Sequence, residues 1–249
     1  MCGLFGMMGP GINKLDFEAI RHLGFISMIR GTDAAGVFET NTRFGSNKKS
    51  KYTPDEMKKV NGDWSYLLWA IEQDNKCGLL YNVGHDLVMC HVRAATRGSY
   101  NEANAHPFVL DNLVGAHNGT LQDEKYNHNK ERTDSEAMFE DISERGLIDV
   151  LTQLEPKSAY AITMYDRTSK VMYFARNAFR PLHFAINIDR GVLYWASESV
   201  FLHCALSRLG IKYKAFCIKP DAIVAIKPGD VRANMEKVFK VIYNKEKVS

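Results

Sequence analysis

An unbroken apolar run occupies residues 2–8 and is closed by Gly9-Pro10-Gly11. A run of this length, bounded by glycine and proline, predicts a buried strand followed by a turn. The chain therefore enters its core almost at once, and the first residue of the run, Cys2, is held rigidly.

Downstream, residues 16–29 carry Phe17, Ile20, Leu23, Ile26 and Ile29 at helical spacing, with Gly31 as a stop. Residues 35–40 read as a strand, and residues 42–52, with Lys48, Lys49 and Lys51, as a solvated loop. Thr53-Pro54-Asp55-Glu56 has a capping-box pattern with proline at the first helical position, which predicts a helix start. A second helix is expected to carry Trp64, Leu67, Leu68 and Ile71. Residues 87–94 and 113–117 are apolar runs of strand length, separated by a polar segment that ends at Asn104-Ala105-His106-Pro107. Thr133-Asp134-Ser135-Glu136 is another capping box, opening a helix through Met138, Phe139 and Ile142 that stops near Gly146.

After Ser158 the texture changes to short strands over residues 160–165, 171–175, 183–188 and 192–196, joined by polar turns. A helix near 198–209 and strands near 222–227 and 231–241 complete a layered α+β domain, read as one domain over residues 1–249.

Several function classes are disfavoured. The net charge of +3 is small and the lysines are dispersed apart from one short run, so no nucleic-acid partner is expected. No stretch approaches the roughly 18 apolar residues needed to cross a bilayer, and Met1-Cys2-Gly3-Leu4-Phe5 lacks a basic leader, so neither a membrane nor a secretory route is expected and the cytosol is the predicted location. Five cysteines, none in a CxxC arrangement, suggest no disulfide framework or zinc ribbon. Eight scattered histidines without paired spacing give no expected metal.

Position 2 changes what a cysteine can do. Cysteine is small enough for removal of Met1 to be expected, and removal leaves a free α-amine on the residue that bears the thiol. An α-amine with a reference pKa of roughly 7.7 to 8.0 is partly neutral near pH 7 and can take the thiol proton, so no histidine base is required.

Cys2-Gly3-Leu4-Phe5-Gly6 resembles the start of the class II glutamine amidotransferases, and four further blocks follow in that family's order. They are Arg30-Gly31-Thr32-Asp33-Ala34-Ala35-Gly36; His91-Val92-Arg93-Ala94-Ala95-Thr96-Arg97-Gly98 with Asn104-Ala105-His106-Pro107; Gly115-Ala116-His117-Asn118-Gly119; and Thr133-Asp134-Ser135-Glu136. Arg176-Asn177, Arg180-Pro181-Leu182 and Ala196-Ser197-Glu198 resemble the second half of the same domain.

The resemblance implies an α+β fold, a four-layer αββα sandwich of the Ntn-hydrolase (N-terminal nucleophile) type, with the nucleophile at a strand N-terminus. It implies that Cys2 attacks the side-chain amide of glutamine, releasing ammonia and leaving a thioester that water cleaves, with no cofactor. Free glutamine presents a carboxylate, an ammonium and an amide, so a selective site needs one cation, one anion and a cleaving centre. On the family pattern Arg93 grips the α-carboxylate and Asp134 the α-ammonium, with Thr96 positioning the carboxylate or the loop over it. Asn118 and Gly119 are the oxyanion donors, whereas Arg30, Asp33, His91 and His106 brace the pocket.

Plainer readings stand beside two of these. Asp134 is also a first-turn acid favoured by the helix macrodipole, and Asn118-Gly119 is also the strongest short hairpin signal. Ala94 and Arg97 depart from the tryptophan and histidine of several relatives, which removes the basis for an inherited ammonia gate. A separate synthase subunit is the expected ammonia acceptor. The alternatives are a stand-alone γ-glutamyl amide hydrolase and a non-catalytic regulatory module of the same fold.

Overall fold

The computed structural model describes residues 1–42, 55–74, 78–81, 84–231 and 240–244. The chain opens with β1 (Gly3–Met8), then α1 (Lys14–Ser27), a 3₁₀ turn (Met28–Arg30), β2 (Ala34–Thr40), β3 (Asp55–Val60), α2 (Trp64–Gln73) and β4 (Leu87–Arg93). The middle third holds β5 (Phe108–Val109), β6 (Leu113–Thr120), α3 (Asp134–Arg145) and α4 (Leu147–Thr152). The remainder holds β7 (Ala159–Asp166), β8 (Val171–Arg176), β9 (His183–Asn187), β10 (Val192–Ala196), α5 (Ser199–Arg208), β11 (Lys214–Cys217), β12 (Ala222–Ile226) and β13 (Lys240–Asn244).

Among the described residues the strands form two antiparallel sheets, ordered β11-β9-β10-β1-β4-β2-β3 and β13-β12-β8-β7-β6-β5. The apolar start of the sequence is explained by where β1 lies. It is a central strand, hydrogen-bonded to β10 on one edge and β4 on the other, and buried along its whole length. Its side chains alternate between two cores: Phe5 and Met7 face the helices, whereas Leu4 and Met8 face the other sheet. A strand covered on both faces needs apolar residues at every position rather than every second one.

Three cores define four layers. Phe17, Ile20 and Leu23 of α1, Trp64 and Leu67 of α2 and Phe201 and Leu202 of α5 cover the outer face of the seven-stranded sheet. Leu4, Phe38 and Met89 meet Val114, Ala116 and Phe174 between the sheets. Met138, Phe139 and Ile142 of α3, with Leu147 and Val150 of α4, cover the outer face of the six-stranded sheet against Tyr160, Ile162 and Met164. This is the αββα sandwich expected of the family.

Capping chemistry opens α3 at the predicted Thr133, although the Glu136 carboxylate pairs with Arg132, whereas α1 and α2 are capped by Asn13 and Asp63. The Thr133 hydroxyl accepts the Glu136 N–H at 3.1 Å to open α3, and Gly146 follows its last residue. The capping-box reading at Thr53-Pro54-Asp55-Glu56 is overturned. Asp55 and Glu56 begin β3, pairing with Thr40 and Glu39 of β2, because an open strand edge offers those residues more hydrogen bonds than a lone helical turn. Thr53, Pro54 and the lysines of the preceding segment lie outside the described residues, as does most of the strand expected over 231–241, of which Val231 follows a 3₁₀ turn and 240–241 open β13. Helix α4 and strands β5 and β11 are additional elements with weak local signals.

Candidate active site

Strand β1 begins one residue after Cys2, so Cys2 sits at the mouth of a central strand and outside its hydrogen-bonded ladder. Side chains hold it there instead. Arg30, from the turn after α1, donates through Nε to the Cys2 carbonyl at 2.7 Å and pairs with the Glu198 carboxylate. The Cys2 thiol lies 3.6 Å from the Ala94 carbonyl, just past the end of β4. One residue pair along, Ser197 clamps Leu4 from both sides, its hydroxyl accepting the Leu4 N–H and its own N–H donating to the Leu4 carbonyl, each at 2.9 Å.

The end of β4 is braced by the segment between the 3₁₀ turn and β2. Asp33 donates its N–H to the Arg93 carbonyl at 2.9 Å and accepts the Ala95 N–H at 2.7 Å. Gly31 runs so close to this corner that a Cβ there would lie 2.3 Å from the Arg93 carbonyl carbon, so the approach requires glycine. The Arg93 side chain is buried and donates to the carbonyls of Arg97 at 2.5 Å and Ser99 at 3.3 Å. Its charge faces Cys2, Asp33 and Asp134.

Asp134 is the first residue of α3, and its carboxylate accepts the Leu121 N–H at 2.8 Å and the Ser135 hydroxyl at 3.2 Å. The same Ser135 hydroxyl lies 2.8 Å from Nδ1 of His117. A cavity of about 300 Å³ is lined by Thr96, Arg97, Gly98, Tyr126, Asn127 and Asp134, among others. The Arg97 guanidinium reaches over to Asn127, whose amide donates to the Leu121 and Asp123 carbonyls and so ties the 94–100 loop to the segment before α3.

Asn118 and Gly119 are not a hairpin turn. Both lie inside β6, paired with Ala161 and Tyr160 of β7. The Asn118 side chain is buried and its Nδ2 has no hydrogen-bond partner among the described residues. A Cβ at position 119 would stand 1.9 Å from the Ala159 carbonyl oxygen, so only glycine lets β7 pass this closely.

Electrostatics around Cys2 are lopsided. Burial pushes the Cys2 thiol up, opposed by the nearby N-terminal amine, Arg93 and Arg30. Behind it, burial and neighbouring cations hold His91 neutral, with a pKa lowered to about 3, and push His106 well below the ordinary histidine value. Their ring centroids are 4.1 Å apart, and His106 packs edge-on to Phe108. These two are uncharged groups packed against each other.

The predicted residues thus fall into connected groups. Cys2, Arg30, Asp33 and Arg93 meet where β1 and β4 end, Thr96 and Asp134 share a cavity, and Asn118-Gly119 lie on β6, whose neighbours Val114 and Ala116 pack against Leu4. Sequence reasoning gave no role to Ser197, Glu198 or Asn127. Ala196-Ser197-Glu198 resembles a segment of the family, but only the pairing of β10 with β1 brings it to Cys2. Among the described residues no three His, Cys, Asp or Glu side chains converge as a metal site, and no helix is long and apolar enough to cross a membrane.

Residues 80–169 match the family described as "Glutamine amidotransferases class-II". Over 235 residues, 88% of this chain, the sequence is 28% identical to a glutamine–fructose-6-phosphate aminotransferase (isomerizing) of Helicobacter pylori, covering 34% of that protein. The enzyme of the same name from Photorhabdus laumondii is 32% identical over 123 residues, 49% of this chain and 17% of its own length. The chain therefore spans about a third or less of the curated relatives it matches. In fold it resembles a glutamine phosphoribosylpyrophosphate amidotransferase from B. subtilis solved with ADP and GMP, with a TM-score of 0.63 at 22% identity over 91% of this chain and 47% of that one. An allosteric regulatory enzyme of purine biosynthesis gives the same TM-score at 23% identity, with the same coverage of both chains.

Proposed function

We propose, for a chain that belongs to the class II glutamine amidotransferase domains, that Cys2 releases ammonia from the side-chain amide of glutamine. The observation that carries this reading is the fixation of Cys2: its carbonyl is held at 2.7 Å by Arg30 and its thiol stands beside Arg93, whose charge also faces Asp134. A nucleophile, a cation and an anion in one neighbourhood match the three chemical features of the substrate.

Met1 precedes Cys2 and is 67% exposed, which leaves it open to removal by an aminopeptidase. The α-amine of Cys2 then accepts the thiol proton, and the sulfur attacks the substrate amide carbon. Nδ2 of Asn118 and the N–H of Gly119 donate to the oxyanion, a part that suits a buried amide whose hydrogens are unspent. The ammonium of Cys2 returns its proton to the departing nitrogen, ammonia leaves, and water cleaves the thioester to give glutamate and the free thiol. Arg93 and Thr96 hold the α-carboxylate, and Asp134 the α-ammonium.

We infer that ammonia passes to a synthase site outside this fold, carried by a separate acceptor subunit. The named relatives are aminotransferases of which this chain matches only a part. The test is a glutaminase assay on protein whose intact mass shows whether Met1 is absent, repeated with copurifying partners. Turnover by the Met1-free form, accelerated by a partner bearing acceptor substrate, is the expected result. Preference for a larger γ-glutamyl amide over glutamine replaces this reading with the hydrolase one.

A further inference from the structure

We propose that Glu198 is a positioning residue for Cys2, acting through Arg30, so that the junction of β10 and α5 grips the nucleophile strand at two points. The proposal rests on the reading of Cys2 as nucleophile and adds a residue to which neither the sequence pattern nor the comparisons assign a part.

The problem to be solved is local. Cys2 makes no ladder hydrogen bond, because β1 begins at Gly3, and a thiol-to-carbonyl contact of 3.6 Å is weak. The strong hold on Cys2 is therefore Arg30 Nε on its carbonyl at 2.7 Å. An arginine side chain is long and loses much rotamer freedom when fixed, and a buried guanidinium needs a counter-charge. Glu198 supplies both the anchor and the charge, since the Arg30 side chain is 6% exposed and ends on the Glu198 carboxylate.

Glu198 is free to do this. It stands at the N-cap of α5, yet its side chain makes no capping hydrogen bond, so the carboxylate is directed to Arg30 rather than to the helix. Its neighbour Ser197 holds Leu4 through both backbone groups. Consecutive residues at one turn thus fix residues 4 and 2 of the nucleophile strand.

Charge gives the arrangement a distinct signature. The charged side chains facing Cys2 are the cations Arg30 and Arg93, whereas Glu198 faces Arg30 and His183. Removing the Glu198 charge leaves Arg30 unbalanced beside Cys2, which favours loss of protons from both its amine and its thiol. A merely structural role would not move that titration.

The experiment compares Glu198→Gln and Glu198→Asp with the parent chain, all confirmed Met1-free by intact mass. Because Glu198 is 34% exposed, the Gln variant is expected to fold, and the Asp variant retains the charge should it not. The readouts are kcat and KM for glutamine, and the pH dependence of Cys2 alkylation by iodoacetamide followed on the Cys2 peptide. For Glu198→Gln, kcat is expected to fall about tenfold or more with KM within about twofold, the signature of a misplaced nucleophile. Its alkylation midpoint moves to lower pH, and Glu198→Asp restores the midpoint and part of kcat. An unchanged midpoint with unchanged kcat overturns the proposal, as does a loss confined to KM. If the parent hydrolyses no glutamine the amidotransferase reading fails, while the alkylation arm still judges whether Glu198 acts on Cys2.

Discussion

The guanidinium of Arg93 donates to the carbonyl of Arg97 at 2.5 Å, so the residue proposed to bind the substrate carboxylate also shapes the loop beside it. Arg93→Lys removes both functions, because one ammonium cannot reproduce the planar donor set. KM for glutamine is expected to rise about 10- to 100-fold, the range for losing hydrogen bonds to a charged group, with a smaller fall in kcat. Initial-rate titration decides it, and an unchanged KM refutes the carboxylate grip.

Asp134→Asn is nearly isosteric and keeps an oxygen for the Leu121 N–H, so α3 is expected to remain in place. The negative charge facing Arg93 is lost. Recognition of the substrate ammonium then weakens and KM rises, while melting shifts little because a helix-terminal charge contributes only about 0.3–1 kcal/mol. A variant with parent-like KM assigns Asp134 to the helix alone.

Asn118→Ala deletes a buried donor that has no partner among the described residues, so stability is expected to change little. Activity behaves differently. Loss of one oxyanion donor is expected to lower kcat about 10²- to 10³-fold at nearly constant KM. An effect confined to KM moves Asn118 to ground-state binding.

Cys2→Ala is expected to abolish turnover with a melting temperature within about 5 °C of the parent, since the half-buried thiol makes one weak contact. Protein that retains Met1, or carries an N-terminal tag, is expected to be equally inactive, because an amide nitrogen has no useful basicity. Full turnover by a tagged sample, verified by intact mass, identifies a different base.

Acid is expected to destabilise the fold through three of its interior histidines, His91, His106 and His117. His91 has a folded pKa of about 3, and burial depresses His106 and His117 in the same direction. Unfolded, each titrates near about 6.5, so between those values the unfolded chain binds protons that the folded one refuses. Their contribution is therefore complete above pH 6.5 and is lost progressively as pH falls toward 3. Melting temperature measured across that window is expected to decline, and His106→Leu is expected to make the slope shallower. A slope identical to that of the parent excludes His106 as a contributor.

Much of this was legible in the sequence because it is local chemistry. An apolar run closed by Gly9-Pro10-Gly11 has to be a strand covered on both faces, and β1 is one. Thr133 followed by Glu136 contains its own helix start, since donor and acceptor are three residues apart. The candidates Cys2, Arg93 and Asp134 also come from local motifs, and their parts toward glutamine remain the proposal that the variants above test.

What only the tertiary structure decided depended on partners distant in sequence. Asp55 and Glu56 carry helix-start chemistry, yet β2 offers them a strand edge that no local pattern records. Asn118-Gly119 has the composition of a turn but lies within β6, because β7 passes close enough that only glycine fits at 119. Glu198 is 168 residues from Arg30 along the chain, and the pairing of β10 with β1 makes them neighbours. Local sequence specifies the backbone conformation a segment favours, whereas the hydrogen bonds and charges it finally satisfies are chosen by whichever strand packs beside it.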